Sequence, residues 1–308
     1  MDGQTAQWVD ERHRAWLERR FGAGARDWIA GLDDLVGEVG RRWDLEVAFP
    51  GRPGRTSVVL VCHHSDGTPV ILKISPDPGL IMAEAHTLAL WRDTGRVPTV
   101  HGVDKQAGAL LLEAIEPGHT MRSTGEVPDL ERLASLLVEL HAVEVDEAQW
   151  RELRPLQGLI SHYFEQWEWR YAEGAAAETV SVALLRRGYA RARDLAANTE
   201  GAVVLHGDLH PGNVLDGGPQ RGLVAVGPQG CAGEPVFDAV PWALWRVESL
   251  ADVGERITVL ARAVGRSEER LREGACALAP IAVAARLNQE GDVVSRAEVE
   301  TLLALAEE

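Results

Sequence analysis

Apolar residues recur at helical spacing over residues 7–45, at Trp8, Trp16, Leu17, Trp28, Ile29, Leu32, Leu35 and Val36, and predict a helical start to the chain. Over 50–75 the period shortens. Ser57–His63 and Pro69–Ile74 are β-rich runs joined by a polar turn containing Asp66-Gly67, the pattern of a hairpin. A helix is expected at about 80–92, then short strands at 97–103 and 109–113 separated by Asp104–Gly108. The first third therefore predicts a small antiparallel sheet carrying one helix.

From Pro117 onward the pattern turns helical. Residues 129–143 place Leu130, Leu133, Leu137, Leu140 and His141 on one face, with Asp129 as the expected cap. Further helices are expected at 155–173 and 177–199. Short strands at 203–205, 213–215 and 222–226 are expected to pair around one polar loop, and helices at 236–250 and in pieces over 252–306 complete the chain. This is an α+β pattern with a β-rich N-lobe, residues 1–116, and a mainly helical C-lobe, residues 117–308.

Composition narrows the partners. The 308 residues carry a formal charge of −16, which argues against nucleic acid, whose phosphates would be repelled. Cys62, Cys231 and Cys276 form an odd set without metal-like spacing, which predicts free thiols in a reducing compartment. The first twenty residues lack the apolar core of a signal peptide, and the apolar run 275–285 is too short to span a bilayer. A cytoplasmic chain with no membrane partner is the expectation.

The densest chemistry is His206-Gly207-Asp208-Leu209-His210-Pro211-Gly212-Asn213, a polar loop between two short apolar runs. Asp208 and Asn213, five residues apart, reproduce the spacing of a kinase catalytic loop, where the Asp orients the attacking hydroxyl and the Asn holds magnesium. Phosphoryl transfer needs both, because it rests on positioning and charge neutralisation. Upstream, Lys73 on a strand is followed by Glu84 on the next helix, a spacing that lets the two meet and fixes the flexible lysine stem.

These stretches resemble the aminoglycoside phosphotransferase and choline kinase-like family, whose catalytic loop reads H-G-D-x-x-x-x-N. The likeness covers roughly residues 28–250 and is greatest to its streptomycin 6-phosphotransferase and hydroxyurea phosphotransferase branch. It implies a bilobal protein-kinase-like fold, ATP and Mg2+, and transfer of phosphoryl to a hydroxylated small molecule such as an antibiotic. Carried over by position, Asp208 is the base, Asn213 a magnesium ligand, Lys73 the phosphate lysine and Glu84 its partner. In the same way the backbone of Glu113–Ile115 meets adenine, and Asp238 in "GEPVFD" braces the catalytic loop. The glycine-poor loop "FPGRPGR", 49–55, could cradle phosphate through its amides, with Arg52 or Arg55 adding charge.

One position departs. The family strand after the catalytic loop ends in I-D-P or V-D-P, and that Asp chelates magnesium; here the segment reads Val226-Gly227-Pro228. Three explanations stand open: an inactive kinase-like protein that binds nucleotide or another small ligand, an active enzyme impaired at Gly227, or substitution by a nearby acid such as Asp216 or Glu234. Beside Asp208 the acceptor is expected against the 155–173 helix. There Tyr163, Trp167 and Tyr171 form a stripe that reads first as core packing, and Glu165, Glu168 and Glu173 are near. Trp242, Trp245 and Glu248 are placed on the cleft side, with core packing as the same alternative, and His206 is assigned to support of the loop through backbone bonds.

Overall fold

The computed structural model describes residues 8–52, 54–127, 129–171, 175–288 and 294–308, with the side chains of all but 168–171 and 175. The chain forms an α+β fold and divides into two compact units, one of Met1–Asp93 with Val97–Gly118, the other of Thr94–Arg96 with His119–Glu308.

The first unit opens with three helices where periodicity suggests a continuous helical stretch: α1 (Glu11–Phe21), α2 (Gly24–Ala30) and α3 (Leu32–Trp43). Asp10 caps α1 by accepting the His13 amide, and Gly22, at φ 70°, ends it. Acids in the first turn of α3 and Arg41 and Arg42 in its last turn match the helix dipole. A strand the sequence reading lacks follows directly, β1 (Leu45–Pro50). It is an edge strand of a five-stranded antiparallel sheet with β2 (Val58–His64), β3 (Pro69–Ile74), β5 (Ala109–Glu113) and β4 (Val100–Asp104), in the order β1-β2-β3-β5-β4. Helix α4 (Pro78–Leu90) joins β3 to β4, capped by Asp77 and started by proline.

Alternation explains why α1–α3 belong here. Val58, Leu60 and Cys62 of β2, Val70, Leu72 and Ile74 of β3, and Ala109 and Leu111 of β5 point to one face. They form one core with Leu17, Ile29, Leu32, Val36 and Val39 of the helices. The opposite face carries the intervening residues in register. One row is Phe49, Val61, Ile71 and Leu112; the next is Val59, Lys73 and Leu110. Phe49 is 55% exposed.

In the second unit Arg96 is the reason a three-residue piece from between α4 and β4 belongs to it. Its guanidinium forks onto both Glu139 oxygens and donates to Ser135 Oγ and the Arg221 carbonyl. The helices are α5 (Met121–Thr124), α6 (Leu130–His141), α7 (Glu147–Glu152), α8 (Leu156–Tyr171), α9 (Val182–Ala196), α10 (Gly218–Arg221), α11 (Val236–Ala243), α12 (Leu250–Ala263), α13 (Glu268–Leu287) and α14 (Arg296–Glu307). Helix α13 contains the apolar run 275–285, packs against α9, α11, α12 and α14, and buries Leu271, Ala275, Ala279 and Val283 along one face.

The short strands pair differently from expectation. β7 (Val203–Leu205) pairs with β10 (Cys231–Gly233), which also borders β6 (Arg154–Pro155); β8 (Val214–Asp216) pairs with β9 (Leu223–Ala225). The polar loop thus leaves one small sheet and enters another. No helix among the described residues is long and apolar enough to cross a membrane. All three cysteines are free and buried.

Candidate active site

In the second unit the polar loop is held from below by one carboxylate. Asp238, in the first turn of α11 and 1% exposed, accepts the His206 amide at 2.8 Å, the Gly207 amide at 2.9 Å and the His141 imidazole at 3.1 Å. Burial alone would raise its pKa, but the hydrogen bonds from His141 and the Gly207 amide outweigh it and hold the carboxyl below its ordinary range.

His206 is fully buried, and its ring is fixed from both sides. Nδ1 accepts the Asp208 amide at 3.2 Å and Nε2 donates to the Val226 carbonyl at 3.1 Å, which fixes the neutral Nε2–H tautomer; burial lowers its pKa in the same sense. The backbone role read for His206 in the sequence is the one it has. Gly207, at φ 76°, turns the chain in the left-handed region that favours glycine, and a Cβ there would crowd Leu159 Cδ2 at 2.8 Å.

Asp208 follows with a side chain about one third exposed, its carboxylate at the protein surface. Asn213 braces it, Nδ2 donating to the Asp208 carbonyl at 2.9 Å and to Oδ2 at 3.2 Å. His210 sits 3.8 Å from the same carboxylate and accepts the Gly212 amide on Nδ1. Tyr163 of α8 donates to the Gly207 carbonyl at 2.6 Å. Its phenol keeps its proton, because burial and the Asp208 charge push its pKa well up. Sequence alone places Tyr163 first in core packing; its stripe spacing is the signal that marks it, and its hydroxyl reaches the loop. Trp167 lies half-buried on the same helix and Glu165 is exposed. The side chains of Glu168 and Tyr171, and Glu173 altogether, lie outside the described residues.

Gly227 follows the Val226 carbonyl that His206 grips. Its φ is 68°, and a Cβ there would meet nothing nearer than Asn213 Oδ1 at 3.8 Å. The proposed stand-ins for a missing carboxylate are otherwise engaged. Asp216 pairs with Arg132 at 3.1 Å and accepts the Gly218 amide. Glu234 is buried between Arg266 at 2.7 Å and Arg270 at 3.2 Å. No cluster of three or more His, Cys, Asp or Glu that could hold a metal occurs among the described residues. Asn213 Oδ1, 3.8 Å from where a Gly227 Cβ would stand, is a side-chain oxygen of the kind a hard cation takes. Magnesium takes most of its ligands from phosphate and water, so Asn213 fits as one ligand, with no carboxylate at position 227 to join it. Trp242 and Trp245 are 0% and 4% exposed and belong to the core rather than to a cleft wall, and Glu248 lies at the start of α12, its amide on Asp252.

In the first unit Lys73 Nζ donates to Glu84 Oε2, with both side chains largely buried. This brings the strand lysine and the helix acid together on the half-exposed sheet face. Glu113 ends β5 with its carboxylate on the Thr99 amide at 2.9 Å, leaving its backbone to continue through Ile115. Gly51 donates to the Val59 carbonyl at the start of the loop between β1 and β2.

Comparison with known proteins agrees with this arrangement. The aminoglycoside/hydroxyurea antibiotic resistance kinases match residues 42–291. A hydroxyurea phosphotransferase of Kitasatospora aureofaciens is 32% identical over 257 residues, covering 82% of this chain and 73% of that protein. A streptomycin 6-kinase of Streptomyces glaucescens is 30% identical over 233 residues, covering 76% and 73%. Among solved structures, the choline kinase LicA of Streptococcus pneumoniae superposes with a TM-score of 0.59 at 16% identity, over 90% of this chain and 97% of that one, and shares the protein-kinase-like fold. A catalytic-loop sequence pinned by a buried aspartate, a paired strand lysine and this match over most of the length lead to one conclusion: the chain belongs to the aminoglycoside/hydroxyurea antibiotic resistance kinase family and is a small-molecule phosphotransferase.

Proposed function

We propose that the chain transfers the γ-phosphoryl group of ATP to a hydroxyl of a small molecule, an antibiotic or related natural product, and so inactivates it. The observation that carries this reading is the Asp208 carboxylate, held at the surface by Asn213 on a loop that Asp238 fixes through two backbone amides. Asp208 orients the acceptor hydroxyl and takes its proton as the oxygen attacks in line. Lys73, kept extended by Glu84, meets the nucleotide phosphates, and the backbone of Glu113 to Ile115 meets adenine. The apolar row Phe49, Val61 and Ile71 beside Lys73 gives a purine a flat surface. Asn213 holds magnesium, which when bound neutralises charge on the phosphates. The names of the two relatives point to streptomycin and hydroxyurea as the first acceptors to try.

Gly227 favours a second reading, an inactive kinase-like protein that binds nucleotide without turnover. Against it stand the intact loop around Asp208 and the Lys73–Glu84 pair. Transfer of label from γ-labelled ATP to streptomycin, hydroxyurea and a panel of other hydroxylated antibiotics tests the first reading. It requires a labelled product, and Asp208→Asn should remove at least about 100-fold of the rate. Saturable ATP binding with no product on any acceptor supports the second reading.

A further inference from the structure

His13 is a buried imidazole on α1, far in sequence from every residue of the loop described above, and the reaction as derived does not use it. It is 3% exposed, and its Nε2 donates to the Ser57 carbonyl at 3.2 Å across 44 residues of chain. Its own amide is tied to the Asp10 cap at 2.7 Å, so the imidazole is mounted on the rigid first turn of α1. Burial lowers its pKa, which keeps the imidazole neutral with one N–H to donate.

Ser57 ends the stem, residues 54–57, that leads from the β1–β2 loop into β2. The same stem meets α1 again one turn on. Trp16 packs edge-on to His13, ring centroids 6.5 Å apart, and the Arg55 guanidinium lies 5.8 Å from the Trp16 ring centre. From the other side Ser75 Oγ donates to the Thr56 carbonyl at 2.7 Å. Ser75 directly follows β3, two residues after Lys73, so the stem is held between α1 and the strand that carries the lysine.

We propose that His13 is a positioning residue for the nucleotide: from α1 it fixes the stem of the β1–β2 loop, so that the N-terminal helices set the grip on the phosphates. This rests on the reading that ATP binds over Lys73, with the loop amides against its phosphates. A hydrogen bond to a backbone carbonyl is the whole of the device, and a side chain that keeps a donor at that reach keeps the grip.

Isothermal titration of the full chain with ATP and with adenosine tests it, in the wild type, His13→Leu and His13→Gln. Leu fills the space without a donor; Gln restores one. The expected result is about fivefold weaker ATP binding in His13→Leu. Adenosine affinity should stay within about twofold, and ATP affinity should recover in His13→Gln. Adenosine lacks phosphates and reports whether the sheet is intact. Unchanged ATP affinity in His13→Leu overturns the inference while leaving the nucleotide reading in place, and so does an equal loss for adenosine or a failure of Gln to restore the affinity. No ATP binding by the wild type overturns both.

Discussion

Three donors converge on Asp238, the amides of His206 and Gly207 and the His141 imidazole, and each would be stranded in a dry environment without it. The carboxylate accepts all three at once, which a neutral amide cannot do, since half of its terminus is a donor. Asp238→Asn should therefore cost about 3 kcal/mol. A lower urea midpoint at unchanged slope would show it, and an unchanged midpoint would mean that the loop is held by something else. Part of this site is legible in eight consecutive residues because its spacing is local. His141 and Tyr163 are not, since His141 meets Asp238 from 97 residues away and Tyr163 meets Gly207 from 44. For Trp242 and Trp245 periodicity leaves cleft and core both open, because it gives a helix a face without saying what covers it.

At the scale of elements, α8 touches the Asp208 loop through the Tyr163 hydroxyl on the Gly207 carbonyl. Tyr163→Phe keeps the ring and loses one hydrogen bond. Turnover should fall several-fold at an unchanged KM for ATP, with about 1 kcal/mol of stability lost. Steady-state kinetics in both substrates checks this, and a rise in the ATP KM alone would contradict it. The sheet shows where elements are readable. Strand β3 was bounded correctly because Val70, Leu72 and Ile74 alternate cleanly with half-exposed partners. Strand β1 was missed because Leu45–Pro50 follows α3 with only Asp44, in the left-handed region, between them, and its outward residues give no clean alternation. The pairing of β7 with β10 rather than β8 rests on contacts about 26 residues apart in sequence, which no window of local pattern contains.

For the whole molecule, two imidazoles are buried in the neutral state, His13 in the first unit and His206 in the second, each with its pKa lowered by burial. In the unfolded chain both take up protons as pH falls below about 6.5. The folded chain does not, so the unfolded state binds more protons there and stability falls with pH. The Asp238 carboxyl adds to the loss at still lower pH, as protonation removes its bonds. Each histidine contributes a slope of up to about 1.4 kcal/mol per pH unit between its folded and unfolded pKa values. The thermal midpoint should thus drop steadily from about pH 6.5 towards 5 and change little between 7 and 8. A midpoint flat down to pH 5 would contradict the neutral assignment of both rings.

At Gly227 the scaffold of a phosphotransferase meets a position without a side chain. Its φ of 68° lies in the left-handed region, which strains a side chain but is reached by Asp more often than by most residues, and a Cβ there would stand in ordinary contact with the Asn213 amide, 3.8 Å from Oδ1. A carboxylate there would stand beside Asn213, the magnesium ligand proposed above. The most direct measurement is the rate of phosphoryl transfer from ATP by the wild type and by Gly227→Asp, side by side, with magnesium and the acceptor panel. The account predicts slow transfer by the wild type and a gain on the order of 100-fold in Gly227→Asp, a few kcal/mol of charge stabilisation at the phosphates. No transfer by either protein to any acceptor, with ATP bound by both, would contradict it.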